Sequence, residues 1–167
     1  MPEAGTVVLG LGNPLMGDDG LGLAVLQRLH DEWELPTEVE LADGGTWGMN
    51  LLPLIEDAGR LLLLDAIRSG APAGTVIELE RERLPRYLAH KLSPHQIDLK
   101  EVLALAELRG TLPDLTVAIG AEPDTVTFST ELSPALAGAV PAVTLAVVAR
   151  LTAWGHQCRR RPVMIGA

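Results

Sequence analysis

The amino-acid sequence predicts an α/β fold, a three-layer α/β/α sandwich in which helices cover both faces of a mostly parallel sheet. Short apolar runs such as Thr6–Leu11 alternate along the chain with helical patterns such as Leu21–Trp33. An apolar run without polar alternation is typical of a strand buried on both faces. Strands that alternate with helices give parallel neighbours joined by helical crossovers, which is why this fold class is expected.

The individual elements follow from the same patterns. The predicted strands are Thr6–Leu11, Glu38–Leu41, Arg60–Ala66, Thr75–Glu80 and Leu115–Ile119, and the predicted helices are Leu21–Trp33, Met49–Ala58, Leu99–Arg109 and Pro134–Trp154. Thr75–Glu80 alternates like a strand with one wet face. The stretch Leu84–Gln96 is interpreted as irregular and polar. We expect one domain over residues 1–167, in which residues 156–167 form a frayed tail.

Composition narrows the function classes. The 167 residues are 47% hydrophobic and carry a formal net charge of -9. Such an acidic chain is a poor partner for nucleic acid, because phosphate binding depends on clustered Lys and Arg. One cysteine, Cys158, excludes an internal disulfide and a cage of thiolates around a metal.

The sequence predicts a cytoplasmic protein. The N-terminal residues lack the basic segment of a signal peptide and lead directly into a strand pattern. Residues 134–154 are long enough to span a membrane, but Pro134, Pro141 and Arg150 interrupt a run dominated by alanine. We interpret this run as a buried helix on the sheet and expect no membrane insertion.

Four polar residues follow predicted strands or lie in the polar loop region. Asp19 lies in the loop after the first strand, Asp43 follows the second, Asp65 ends the third, and His95 lies in the irregular segment. Ligands of open parallel sheets bind at the carboxyl ends of strands, near the point where strand order reverses. These loops are therefore expected to meet at one edge of the sheet.

Carboxylates and an imidazole at one edge suit a metal. Oxygen and nitrogen donors with open positions favour a borderline divalent ion such as nickel or zinc over a soft ion that prefers thiolates. Two carboxylates a few ångströms apart also repel each other, unless a cation or a proton intervenes.

Each residue also has a purely structural interpretation. Asp43 can bond its own backbone in the Asp-Gly-Gly turn, and Asp65 can be a turn or cap at a strand end. His95 can be a solvated histidine. Asp18 and Asp19 can cap the helix that begins near Gly20. The shared position at strand ends is what favours a functional site.

A dinucleotide site is not expected. The fingerprint that begins with Gly10 and Gly12 needs a third glycine where this chain has Leu15. Asp18 and Asp19 would also repel a pyrophosphate.

Four ordered motifs resemble those of the hydrogenase maturation endopeptidases. They are Gly10-Leu11-Gly12-Asn13-Pro14-Leu15-Met16-Gly17-Asp18-Asp19-Gly20-Leu21-Gly22, Asp43-Gly44-Gly45-Thr46-Trp47-Gly48, Leu64-Asp65-Ala66-Ile67 and Lys91-Leu92-Ser93-Pro94-His95-Gln96. Together they span most of the chain, and the match is specific for that reason.

The resemblance implies a twisted five-stranded sheet between helices and removal of the C-terminal extension of a nickel–iron hydrogenase large subunit. The family's metal ligands map onto Asp19, Asp65 and His95, and an acidic residue linked to activity maps onto Asp43. Many members have Glu where this chain has Asp19, so the carboxylate here is shorter by one C–C bond, about 1.5 Å.

The expected catalytic set is therefore Asp19, Asp43, Asp65 and His95, and no Ser–His–Asp or Cys–His constellation emerges beside it. Nickel is expected to arrive with the substrate, so that a nickel-loaded precursor is the partner and the enzyme holds no permanent cofactor. A carboxylate, Asp43 or Asp19, would assist a water molecule as general base. We expect a monomer.

Two other functions compete with this interpretation. A non-catalytic chaperone that binds nickel would use the same ligands. Peptidyl-tRNA hydrolase also opens with a strand and Gly-Leu-Gly-Asn-Pro, but the region Met16–Leu21 contains no counterpart of its catalytic histidine.

Overall fold

Strands form two sheets in the part of the chain that the computed structural model describes, residues 5–44, 48–89 and 97–163. In chain order they are β1 (Thr6–Gly10), β2 (Trp33–Glu34), β3 (Val39–Asp43), β4 (Arg60–Ala66), β5 (Val76–Leu79), β6 (Leu115–Ala121) and β7 (Arg159–Arg160). The main sheet has five strands in these residues, in the spatial order β3-β1-β4-β6-β5. β2 and β7 pair separately.

Parallel pairing dominates the main sheet. β1 lies between β3 and β4, with Thr6 opposite both Val39 and Arg60, and β4 pairs with β6 in the same direction. β5 is antiparallel to β6 and lies at the edge. The prediction of a mostly parallel five-stranded sheet is confirmed.

Helices cover both faces of this sheet. The described α-helices are α1 (Leu21–Glu32), α2 (Leu52–Asp57), α3 (Leu84–Ala89), α4 (Ile97–Leu108) and α5 (Pro134–Ala153), and short 3-10 segments occupy Gly17–Gly20, Gly48–Leu51 and Arg81–Arg83. α1 and α5 pack on one face, and α2, α3 and α4 pack on the other.

The central strand β4 shows how the sequence builds these layers. Leu62 and Leu64 point into the core beneath α1 and α5, whereas Leu61 and Leu63 point into the core beneath α2, α3 and α4. Successive strand residues face opposite sides, so an unbroken run of leucines fills two cores at once. The three-layer α/β/α sandwich is confirmed.

The helix α5 is the described helix that is long and apolar enough to cross a membrane, judged by length and composition alone. Core helices pass the same test. Here Leu136, Val143, Val147 and Leu151 are fully buried against the sheet and α1. The interpretation of this run as a helix lying on the sheet is therefore confirmed.

The prediction of an irregular stretch from Leu84 was wrong over its first part, because Leu84–Ala89 is the helix α3. Leu84, Tyr87 and Leu88 recur at the spacing of one helix face and are buried in the core. Pro85 and Arg86, which lie among them, conceal this short pattern in the sequence. The remainder of the stretch, residues 90–96, lies outside the described residues.

The prediction of a frayed tail was also wrong for the described part of residues 156–167. Arg159–Arg160 pairs antiparallel with Trp33–Glu34, and the guanidinium of Arg160 lies 5.7 Å from the centre of the Trp33 ring. The hydroxyl oxygen of Thr6 also lies 2.8 Å from Nε2 of His156. These contacts tie the tail to the end of the sheet where β1 begins.

Gly22 permits the close approach of α1 to the sheet. A Cβ at this position would lie 2.2 Å from the carbonyl oxygen of Leu64 and 2.7 Å from that of Leu11. Both atoms belong to the backbone, so neither can rotate away. The helix that follows the first loop is therefore seated directly on β4.

Replacing Gly22 by Ala should lower the free energy of unfolding by about 3 kcal/mol, because the added methyl group forces α1 off the sheet. Urea denaturation measures the change. Gly138→Ala is the matched control, since Gly138 lies in α5 with nothing within 4 Å of the added Cβ. That control should gain about 0.5–1 kcal/mol from helix propensity. Equal effects of the two substitutions would contradict the seating of α1.

Candidate active site

The carboxyl ends of three neighbouring strands carry the predicted acidic residues. Gly10 at the end of β1 lies opposite Asp43 of β3 on one side and opposite Leu64 of β4 on the other. Asp65 is the next residue along β4. Because adjacent strands are about 4.8 Å apart, these strand ends share one short edge.

The loop after β1 folds back on itself, so that Asp19 packs against Gly12 and Asn13 at the start of the loop. Gly12 has φ +97, and a Cβ there would lie 1.9 Å from the carbonyl oxygen of Asp19, so only glycine fits. The backbone N–H of Asn13 donates to Oδ2 of Asp19 at 2.8 Å. Asp19 is 0% exposed. The glycines of this motif therefore enclose a carboxylate rather than a phosphate.

Asp65 is equally enclosed. It is 0% exposed and accepts hydrogen bonds from the backbone N–H of Ala66 at 2.9 Å and from the hydroxyl of Tyr87 at 2.7 Å. Gly120 of the neighbouring strand lies so close that a Cβ would meet the carbonyl oxygen of Asp65 at 1.7 Å. A buried carboxylate is costly unless it is hydrogen-bonded, and these bonds offset part of that cost.

Tyr87 connects the two carboxylates electrostatically. Burial raises the pKa of Tyr87 well above its usual value of 10.0, and the charges of Asp65 and then Asp19, with the hydrogen bond to Asp65, raise it further. A negative charge acts on the phenol in this way when it lies nearby. The Tyr87 hydroxyl thus binds Asp65, and the charge of Asp19 acts on the same phenol from the segment Gly17–Gly20, which lies against β4.

Asp43 reaches the same edge from the other side of the sheet. Val39 and Leu41 of β3 pack in the core beneath α1 and α5, and strand alternation places Asp43 on that face. Asp65 follows Leu61 and Leu63 on the opposite face. Asp43 is exposed, unlike the other two aspartates. The fourth predicted residue, His95, lies outside the described residues.

Asp18 has a structural role that differs from the role of Asp19. Its carboxylate accepts hydrogen bonds from the backbone N–H groups of Asp124, Thr125 and Ser133 and from the hydroxyl of Ser133, at 2.7–3.0 Å. Ser133 is in turn the N-cap of α5. The residue that precedes α1 is Gly20, which makes no side-chain cap. The Asp18 carboxylate therefore joins the first loop to the start of α5.

Within the described ranges, no three His, Cys, Asp or Glu side chains come close enough together to hold a metal ion. Of the predicted ligands, Asp19 lies in the loop after β1 and Asp65 lies in β4, whereas His95 lies outside the described residues. The described residues thus contain two of the three predicted ligands, both of them carboxylates, which are donors that divalent cations accept.

Sequence reasoning missed Tyr87. It is the one tyrosine in the chain, and it lies three residues after Leu84 and next to Leu88. A tyrosine on a buried helix face needs a partner for its hydroxyl, and that rule points to a nearby acceptor. Recognising α3 in the sequence would have been enough to find it.

The fold places the chain in the class of open α/β proteins, whose ligands bind at the carboxyl edge of a parallel sheet, where Asp43 and Asp65 lie. Comparisons with known proteins narrow this class. The family model for hydrogenase maturation protease matches residues 23–150.

Individual relatives agree. The chain is 36% identical over 151 residues to hydrogenase expression/formation protein HupD of Rhodobacter capsulatus, covering 89% of this chain and 72% of that protein. It is 33% identical over 147 residues to hydrogenase 2 maturation protease of Escherichia coli, covering 87% of this chain and 89% of the other.

Solved structures carry the same fold. The hydrogenase maturating endopeptidase HybD of Escherichia coli superposes with a TM-score of 0.85 at 30% identity, covering 94% of this chain and 98% of that one. The chain belongs to the hydrogenase maturation protease family and is a peptide hydrolase. The resemblance read from the four motifs is confirmed, and the peptidyl-tRNA hydrolase alternative is set aside.

Tyr87 should stay protonated in the folded protein well above pH 10, because burial and two carboxylates oppose the phenolate. Absorbance at 295 nm reports this residue alone, since the chain has a single tyrosine. The titration, carried out with a chelator present, should shift towards pH 10 in guanidinium chloride. Asp65→Asn should lower the folded midpoint. A folded midpoint near 10 would contradict the described contacts.

The raised pKa of Tyr87 also determines how the free energy of unfolding changes with pH. The folded pKa lies above the unfolded one, so this stabilising contribution is complete below about pH 10 and falls by up to about 1.4 kcal/mol per pH unit above it. Tyr87→Phe should remove that part of the slope in urea denaturation at pH 9–11. Identical slopes for both proteins would show that Tyr87 is not linked to folding.

Asp18→Ala should lower the free energy of unfolding by about 3 kcal/mol or more, because it removes the acceptor of three backbone N–H groups at once. Urea denaturation tests this. Asp114→Ala is the control, since Asp114 is an exposed aspartate before β6. A loss no greater than that of the control would contradict the role of Asp18 as the link to α5.

Proposed function

We propose that this protein removes the C-terminal extension of a nickel–iron hydrogenase large-subunit precursor after nickel has been inserted. Asp19, Asp65 and His95 contact the nickel that the precursor carries. The observation that carries the proposal is the complete burial of both Asp19 and Asp65, the second of them bonded to the Tyr87 hydroxyl, in a chain of this family.

Electrostatics supports a cation at this place. Asp19 and Asp65 are both 0% exposed, and both act on the same phenol. Two carboxylates enclosed near each other favour a proton or a cation between them. Oxygen donors completed by an imidazole suit nickel, and positions left open on the ion belong to its ligands in the precursor.

Enclosure supports delivery by the substrate. Because neither carboxylate is accessible, contact with nickel requires displacement of the groups that cover them. Docking of a folded precursor supplies binding free energy for that displacement, whereas a free aqueous ion supplies less. In this proposal the nickel belongs to the substrate, and the enzyme must bind it before cleavage takes place. The shorter side chain of Asp19 requires a closer approach of the metal on that side.

Cleavage needs a water molecule and a base. A carboxylate takes a proton from water, the oxygen adds to the scissile carbonyl, and the proton passes to the amine that leaves. Asp43 is the best-placed candidate for this base, because it is exposed at the same edge where Asp65 is enclosed. Asp19 is the other candidate. A substrate peptide that lies along the carboxyl edge of the sheet could reach both Asp43 on one face and Asp65 on the other.

We further place this reaction in the cytoplasm and assign it to a monomer. Size-exclusion chromatography with light scattering measures the oligomeric state, and fractionation of cells that express a tagged chain measures the location.

Nickel-loaded precursor should be cut, and nickel-free precursor should not, when each is incubated with the purified enzyme. Mass spectrometry of the large subunit detects loss of the extension. Equal cleavage of both forms would remove nickel from recognition. Absence of a mass shift with either form, together with binding of the loaded precursor, would instead indicate the non-catalytic chaperone.

Asp43→Asn should lower the rate of cleavage by about 100-fold to 10,000-fold, the range expected for loss of a general base. Binding of the loaded precursor, measured by pull-down, should be retained. Glu40→Gln is the control, since Glu40 is an exposed carboxylate on the same strand. Full activity of Asp43→Asn would transfer the role of base to Asp19.

A further inference from the structure

A cleft of ≈ 720 Å³ opens beside the enclosed carboxylates. It begins at Ala66 and Ile67, the residues directly after Asp65, and Tyr87 forms part of its wall. The phenol whose hydroxyl binds Asp65 therefore separates the buried site from this open space. A substrate segment that extends from Asp65 past Ala66 and Ile67 would therefore enter the cleft.

Arginines dominate the charge of this cleft. Arg68, Arg83 and Arg86 line it with a single carboxylate, Glu82. None of the three arginines forms an ion pair within the described residues, although the chain has a net charge of -9. Unpaired guanidinium groups that converge on one cleft of an acidic protein are a recognition site for an anion.

The wall that carries Arg68 is held in place. Glu122 is 6% exposed, and it accepts hydrogen bonds from the backbone N–H of Ser69 at 2.6 Å and from that of Gly70 at 3.3 Å. The backbone N–H of Gly74 donates to the carbonyl oxygen of Glu122 at 2.8 Å. The loop that follows β4 is therefore ordered before any ligand arrives, which reduces the entropy lost on binding.

We propose that this cleft, the arginine cleft, binds a carboxylate of the C-terminal extension that the enzyme removes. The proposal rests on the proposed function and adds the chemistry of the bound segment. Arg68, Arg83 and Arg86 pair with a carboxylate that is either an acidic side chain of the extension or its free C-terminus. The extension passes the Tyr87 wall and is anchored beyond the scissile bond, so the arginines position the substrate and do not act on the reacting atoms.

The test measures cleavage of nickel-loaded precursor by the wild-type chain and by Arg83→Gln, Arg86→Gln and the triple variant that also carries Arg68→Gln. The KM should rise about threefold for each arginine lost and about thirtyfold for the triple variant, while kcat stays within about twofold. Arg159→Gln is the matched control, because Arg159 is exposed at the opposite end of the sheet, in β7. Should the triple variant not fold, the two single variants carry the test.

The source of the carboxylate is identified with synthetic peptides of the extension used as inhibitors of cleavage. One peptide has its acidic side chains replaced by amides, and another has an amidated C-terminus. Loss of inhibition with the first assigns an acidic side chain, and loss with the second assigns the terminus. Equal inhibition by all peptides, or an unchanged KM in the triple variant, would overturn the arginine cleft. The proposed function is tested by a different result: it is wrong if the wild-type chain does not cleave the nickel-loaded precursor.

Discussion

The burial of two carboxylates is the constraint on which the rest of the site depends. Asp19 and Asp65 are both fully enclosed, and an ionised carboxylate in such a place costs several kcal/mol unless partners offset the loss of water. The Asn13 and Ala66 amides and the Tyr87 hydroxyl are such partners. The proposed contact with nickel depends on these two buried carboxylates.

Much of the surrounding architecture serves this arrangement. Gly12 lets the first loop pass over Asp19, Gly22 seats α1 on β4, and Gly120 lets β6 approach the backbone of Asp65. Each glycine lies where a methyl group would collide with a backbone carbonyl. The glycines of the first motif, which superficially suggest a nucleotide, are used here to bring backbone close to backbone around an acid.

The sequence was sufficient for the mostly parallel direction of the sheet and for the positions of Asp43 and Asp65 at strand ends, because long apolar runs such as β4 leave few alternatives. The sequence was insufficient for α3, because a proline and an arginine interrupt the buried residues of this six-residue helix and conceal its apolar face. It was insufficient for β7 too, since two arginines become a strand only through pairing with β2. Tyr87 and the role of Asp18 depend on contacts between residues distant in sequence, which no local pattern encodes.

The hydrogen bonds of Asp18 have a consequence for how this family can diversify. Three of its four bonds go to backbone N–H groups of residues 124–133. Backbone N–H groups are common to every residue except proline, so the side chains of this loop other than Ser133 can change while the hydrogen bonds that fix its path are kept. Leu15, 50% exposed, and Phe128, 83% exposed, each directly precede one residue of the Met16–Ser129 bridge. Substitutions at these two positions can therefore alter what the protein presents to a partner while the hydrogen bonds of Asp18 are kept.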